Sequence, residues 1–181
     1  MRDWWDLAYS AEDATYPFDL SGATLEGANF TRADLSGANF RKANLASANF
    51  TGAFLEGDDF NGANLEFADF SSAHLGAADL NNCKMNQTRM GNVDLSSALG
   101  LEKILHSGPS TVGIDTVYRS KGKIPEAFLR GAGVPENFIV YMKSLTVDVF
   151  DYYSCFISYS RRDDPFATEL HSKLQAQHVR C

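Results

Sequence analysis

LEGANFTRADLSGANFRKANLASANF, residues 25–50, decides the fold, because its large apolar residues fall at Leu25, Phe30, Leu35, Phe40, Leu45 and Phe50, one in every five positions. The same beat extends outward from Leu20 to Leu95 without a slip, through Leu55, Phe60, Leu65, Phe70, Leu75, Leu80, Met85 and Met90. An alanine stands two places before most of them, from Ala23 to Ala78. A helix repeats every ~3.6 residues and a strand every ~2, so a strict period of five fits neither and marks a repeat architecture.

If each unit forms one side of a square, four units close a coil and the twentieth residue on lies directly below the first. Leu25, Leu45, Leu65 and Met85 then stack in one interior column, and Phe30, Phe50, Phe70 and Met90 in the next. The small alanine leaves room for its large neighbour at each crowded corner. Backbone groups pair between coils at roughly 4.8 Å, so four coils make a prism about 20 Å tall. Burying each Leu or Phe contributes roughly 1.5–3 kcal/mol, enough in sum to support a small domain.

These units resemble the pentapeptide-repeat family, whose motif reads A-[DN]-[LF]-x-x. The resemblance covers residues 18–97 and implies a right-handed quadrilateral β-helix of about four coils. Departures stand at Asp58, where a carboxylate replaces the small inward residue, and at Cys83, Thr88 and Val93 in the last coil. Asp58 is expected either hydrogen-bonded near the lumen wall or turned outward, and outward is the preferred reading for an isolated acid.

The formal net charge is −7, and it is unevenly spread. Residues 1–17 contribute −3, residues 18–97 contribute −5 and the rest +1. An acidic scaffold disfavours nucleic-acid phosphates as partners. Some pentapeptide-repeat proteins instead imitate DNA and occupy topoisomerases, so a DNA-mimicking topoisomerase binder is the alternative that the resemblance leaves open. Stacking sets Asp19, Asn39, Asp59 and Asp79 in one outer column, though Arg41 and Lys42 border that face. Phe54 and Phe67 stand at outward positions and are candidate contacts for a flanking segment or a partner. Phe54 should stack between Asp34 and His74.

No run of apolar residues is long enough to span a membrane, and the N-terminus lacks a signal-peptide pattern, so a cytoplasmic protein is expected. Cys83, Cys155 and Cys181 are odd in number and scattered, which argues against disulfides. His171, His178 and Cys181 do not complete a zinc-binding spacing, and no metal is expected.

Residues 1–17 read as a cap over the open N-terminal end of the solenoid, with Trp4 and Trp5 beside charges; a partner-binding peptide is the sharper alternative. Residues 98–147 read as a helical connector packed on the other end. Within it, SALGLEKILH (97–106) has helical spacing and STVGIDTVYRSKGK (110–123) reads as a loop. Pro125 opens a helix to Arg130, Gly131-Ala132-Gly133 breaks it, and Pro135 opens another to about Leu145. The pair has a helix-turn-helix shape, but ENFIVYMKSL carries no basic recognition face.

Residues 148–181 change character. Ser154–Ser160 is a short apolar strand, Asp164 and Pro165 open a helix lined by Phe166, Leu170 and Leu174, and His178–Cys181 begins a second strand. The string CFISYSRRDDPFATELHSKL (155–174) resembles the first motif of Toll/interleukin-1 receptor (TIR) domains. That resemblance implies a partial α/β unit whose Ser158, Tyr159, Ser160 and Arg161 would line a nucleotide or assembly cleft. Many bacterial members of that family cleave NAD, and others only assemble. The family's catalytic glutamate lies on a later helix, beyond Cys181, so no catalytic residue and no cofactor are assigned to this chain. NAD would be a substrate only of a longer parent protein.

The combined expectation is a non-catalytic scaffold that presents or multimerises a TIR signalling domain in a bacterial defence or signalling protein. Its partner would be another protein or a second copy of itself, with no membrane contact.

Overall fold

A computed structural model describes residues 18–146 together with Glu169, Ser172 and Lys173. The cap expected over 1–17 lies outside the described residues, as do both strands and most of the helix expected over 148–181. The chain divides into two compact units, Met1–Met142 and Lys143–Cys181. In the second, Glu169, Ser172 and Lys173 are helical, and Glu169 pairs with Lys173 one turn on at 2.7 Å.

The first unit is the square solenoid. Parallel bridges join residues twenty apart, as in Asp19↔Asn39↔Asp59↔Asp79 and Asn29↔Asn49↔Asp69↔Arg89. Each rung repeats one pattern: Leu20 N–H donates to Asn39 O at 2.8 Å, and Asn39 N–H to Phe18 O at 2.8 Å. Between sides the chain turns with a short bond such as Ala23 N–H to Leu20 O, 3.1 Å. Those turns need a left-handed residue, and every fifth position from Gly22 to Asn92 has φ between 49° and 78°. Glycine fills some of these corners without cost, but Phe67 (φ 62°) and Arg32 (φ 58°) do not have that freedom. The preference for Asn or Asp before each Leu or Phe has a local cause. Its Oδ1 accepts the N–H two residues on, as at Asn29 to Thr31 (3.1 Å) and Asp59 to Asn61 (2.9 Å).

The lumen is filled. Leu45, Leu55, Leu65, Phe40, Phe50, Phe60 and Phe70 are fully buried. Phe30, Phe50 and Phe70 stack face to face at 5.0 and 4.9 Å, and Phe40 and Phe60 stack at 5.0 Å in a neighbouring column. The two columns meet edge to face near 6 Å, a geometry that aromatic quadrupoles favour.

Asp58 overturns the outward expectation. It is fully buried, and its Oδ1 accepts Ala38 N–H at 3.0 Å while Oδ2 has no partner. Burial pushes its carboxyl up to about 8, partly offset by the Ala38 and Gly37 amides. A proton removes most of the cost of burying an acid, which is how it stays inside. The other departures also point inward: the Cys83 thiol donates to Phe60 O (3.0 Å) and the Thr88 hydroxyl to Leu65 O (2.8 Å).

Beyond residue 97 the solenoid continues, which corrects two expectations. SALGLEKILH is not a helix: Leu99 bridges Asp79, only Leu101–Lys103 is helical (a 3-10 turn), and Leu105–His106 is a strand. STVGIDTVYRSKGK is not a loop but holds a strand, Thr111–Val112, and a helix. The strands β1 (Lys84–Met85), β2 (Arg89–Met90), β3 (Leu105–His106) and β4 (Thr111–Val112) pair β1 with β3 and β2 with β4, all parallel. These are sides of a fifth, partial coil. Its next side is replaced by helix α1 (Ile114–Arg119), followed by α2 (Glu126–Gly131) and α3 (Glu136–Thr146). The last two match the helices expected after Pro125 and Pro135. Val117, Ile124, Phe128, Leu129, Ile139 and Met142 extend the solenoid's core. Arg130 links α2 to α3 through Glu126 (2.6 Å) and Glu136 (2.8 Å), so it is spent on structure.

Candidate functional site

With the lumen packed solid, any site must lie on the outer faces. The sequence-derived candidates scatter over them. Phe54 is exposed, bridges Asp34 and His74, and stacks on the His74 ring at 4.7 Å. Phe67 is exposed on a different side, at a left-handed corner. Asp59 pairs with Arg41 at 2.9 Å, and Asp79 accepts both N–H groups of Asn81, at 2.8 and 2.6 Å. The acidic column is therefore interrupted by a bound guanidinium, and at its far end comes the exposed Leu99. Trp4, Trp5, Ser158, Tyr159, Ser160 and Arg161 lie outside the described residues.

The solenoid wall bonds regularly up to residue 73, and beyond it one side opens. The side that carries Phe54 runs through residues 33–37, 53–57, 73–77 and 93–97. Its first two rungs are complete: Leu55 N–H reaches His74 O (2.9 Å), Gly57 N–H reaches Gly76 O (2.8 Å) and His74 N–H reaches Ala53 O (2.9 Å). The corresponding bonds to the next coil are missing. Leu75, Ala77 and Asp94 donate to no backbone oxygen, and no bridge joins His74 to Asp94, although Asp59, Asn64 and Asp69 all bridge to that coil. The wall closes again where Leu99 N–H meets Ala78 O at 2.8 Å.

The cause lies in α1. At the corners from Ala23 to Cys83 the turn is held by a bond such as Ala73 N–H to Phe70 O. At the corner before residue 93 the Thr116 hydroxyl inserts itself, donating to Met90 O (2.7 Å) and accepting Val93 N–H (3.1 Å). The Ser120 hydroxyl then accepts Leu95 N–H at 2.9 Å. The segment 93–97 thus follows the helix below it instead of the coil above it.

The opening is a cavity of about 400 Å³ lined by Glu56, His74, Gly76, Asp94, Ser97 and Arg119, among others. Glu56 faces His74 Nδ1 at 3.6 Å and takes a weak bond from the Ser36 hydroxyl at 3.4 Å. Asp94 accepts Ser96 N–H at 2.8 Å. Sequence reasoning missed this cluster, apart from noticing Val93 as an off-motif residue. A second signal was available: Phe54 and His74 replace the Asn or Asp that would brace the turn. Among the described residues no cluster of His, Cys, Asp and Glu is spaced to hold a metal, and no helix is long and apolar enough to cross a membrane.

The profile of pentapeptide repeats matches residues 19–57 and 59–98, in eight copies, and skips only Asp58 between them. No curated protein matches the chain. Among solved structures, the chain is similar to a pentapeptide repeat protein from the Arabidopsis thaliana thylakoid lumen, with 29% identity and a TM-score of 0.50 over 59% of this chain and 72% of that one. It is also similar to a pentapeptide repeat protein from the cyanobacterium Cyanothece 51142 (23% identity, TM-score 0.28, 45% of this chain and 62% of that one). A third is HetL of Nostoc sp. strain PCC 7120, involved in heterocyst differentiation regulation (26%, 0.27, 55% and 58%). The matches span less than two thirds of the last two proteins' length. Residues 19–98 are a run of pentapeptide repeats, folded as the right-handed quadrilateral β-helix of such proteins.

Proposed function

We propose that the chain is a non-catalytic scaffold: a protein-interaction solenoid that presents or multimerises its C-terminal TIR-like segment within a defence or signalling protein. The observation that carries the first half is the filled lumen. Fully buried, stacked Leu and Phe side chains leave the interior no room for a substrate, so the solenoid acts through its outer faces. The second half rests on the resemblance of CFISYSRRDDPFATELHSKL to the TIR opening motif, with Ser158, Tyr159, Ser160 and Arg161 as its cleft or assembly residues. NAD cleavage would be the business of a parent protein, not of these residues.

Light scattering on the chain with and without residues 147–181 tests the reading. The scaffold account expects a defined oligomer that falls to a monomer on deletion. A monomer in both cases contradicts multimerisation through that segment, and NAD turnover by the 181-residue chain above buffer contradicts the non-catalytic assignment.

A further inference from the structure

We propose that His106 is an acid-sensitive latch: helix α2 docks on the last coil while that imidazole is neutral, and its protonation releases the helix. His106 lies in β3 directly opposite Met85, so it takes the inward place that Leu25, Leu45, Leu65 and Met85 hold in the coils above. The lumen column therefore ends on a titratable ring. Helix α2 closes over it. Phe128 meets the ring edge to face at 5.4 Å, and a Cβ on Gly131 would collide with its Cδ2 and stand 2.7 Å from Nε2. Both ring nitrogens are shut off from solvent, and no described residue offers either of them a hydrogen bond. At the same junction Ser110 N–H docks on Ala132 O at 3.0 Å, while the buried Ser110 hydroxyl bonds nothing, the ring included.

A neutral imidazole in this place leaves one N–H and one lone pair unmet, whereas an imidazolium would leave two donors and a buried charge. No charged group is placed to compensate. Residues 104–113 carry no charge besides the ring itself. Lys84 on β1, and Glu102 and Lys103 in the 3-10 turn, are exposed. Glu126 and Arg130 on α2 are tied to each other, and Arg130 also to Glu136 of α3. Glu66 is held on the outer wall by the Ser107 hydroxyl at 2.7 Å. Burial alone accordingly holds the ring below its ordinary value of 6.5. Once released, the ring meets water and takes a proton near 6.5, so below that pH the released state binds more protons than the docked one. Docking is intact above that pH and weakens as pH falls, by up to ~10-fold per pH unit while the docked ring stays neutral. The sign is opposite to that of a buried carboxyl such as Asp58.

The latch goes beyond the scaffold reading and does not rest on it. Hydrogen exchange of the full chain, expressed as protection relative to the unstructured chain at each pH, tests it between about pH 7 and about pH 5.5, above the ordinary carboxylate range. The amides of Leu129, Ala132 and Ser110, bonded to Pro125 O, Phe128 O and Ala132 O, should lose roughly fivefold in protection over that range. Leu45 and Phe50 in the middle coils should not. His106→Leu, which gives the column its usual residue, should keep the protection of α2 level across the range. An NMR titration of the wild-type imidazole should place its midpoint below 6.5. Level protection of α2 in the wild type, a fall that survives in His106→Leu, or a ring midpoint at or above 6.5 overturns the proposal. Where His106→Leu leaves α2 undocked at every pH, His106→Gln takes its place in the same comparison.

Discussion

Asp58 holds an inward position where the repeat elsewhere places alanine, and the pentapeptide profile breaks at that residue. Its carboxyl is raised to about 8 chiefly by burial, with Glu56 and Asp34 adding to the rise. The folded chain therefore keeps the proton that the unfolded chain gives up near the ordinary carboxyl value of 3.8. Across that window the folded state binds more protons than the unfolded one, so stability falls as pH rises from about 4 to about 8 and levels off above. Asp58→Ala restores the motif and leaves Ala38 N–H its turn bond to Leu35 O at 2.8 Å. The expected outcome is a higher melting temperature at pH 8 and loss of that slope, read from thermal unfolding at a series of pH values; an unchanged slope would assign it to other groups. That Asp58 departs from the motif was legible in the sequence. Its direction was not, because the cost of burying a charge was weighed without the escape that protonation provides.

At the scale of elements, the path of the chain between Gly91 and Leu99 is set by a helix that sequence spacing read as a loop. Leu101, Ile104 and Leu105 lie at helical intervals, yet those side chains belong to the fifth coil's sides, and a period read over ten residues does not separate the two. The Ser120 hydroxyl takes the place that the next coil's carbonyl would have for Leu95 N–H, and the Thr116 hydroxyl bridges the corner between Val93 N–H and Met90 O. Capping a β-helix in this way satisfies open backbone donors with side-chain oxygens, and the cap becomes part of the solenoid's wall. Thr116→Val keeps the shape but leaves Met90 O without its hydroxyl donor and Val93 N–H without its acceptor. The expected cost is about 1–3 kcal/mol in chemical denaturation, that of a buried bridge removed with its partners left behind. Ser107→Ala, which removes an exposed bond to Glu66, should cost close to nothing in the same measurement.

For the whole molecule, the sequence declared the square solenoid, its interior columns and the two helices that follow Pro125 and Pro135, because each rests on local periodicity or on a proline. The break in the wall did not show, since it depends on a contact between residues 90–95 and residues 116–120, far apart in sequence and free of any repeat. Arg119 therefore looked like one basic residue among several, while Phe54 and Phe67 stood out only because they broke a polar pattern. The account's central claim is that the wall is open at the rung between residues 73–77 and 93–97. Residue-resolved hydrogen exchange on the free chain measures this directly. Leu55, Gly57 and His74, bonded across the intact rung, should be strongly protected, while Leu75, Ala77 and Asp94 exchange orders of magnitude faster. Equal protection on both rungs would mean that the wall is closed there.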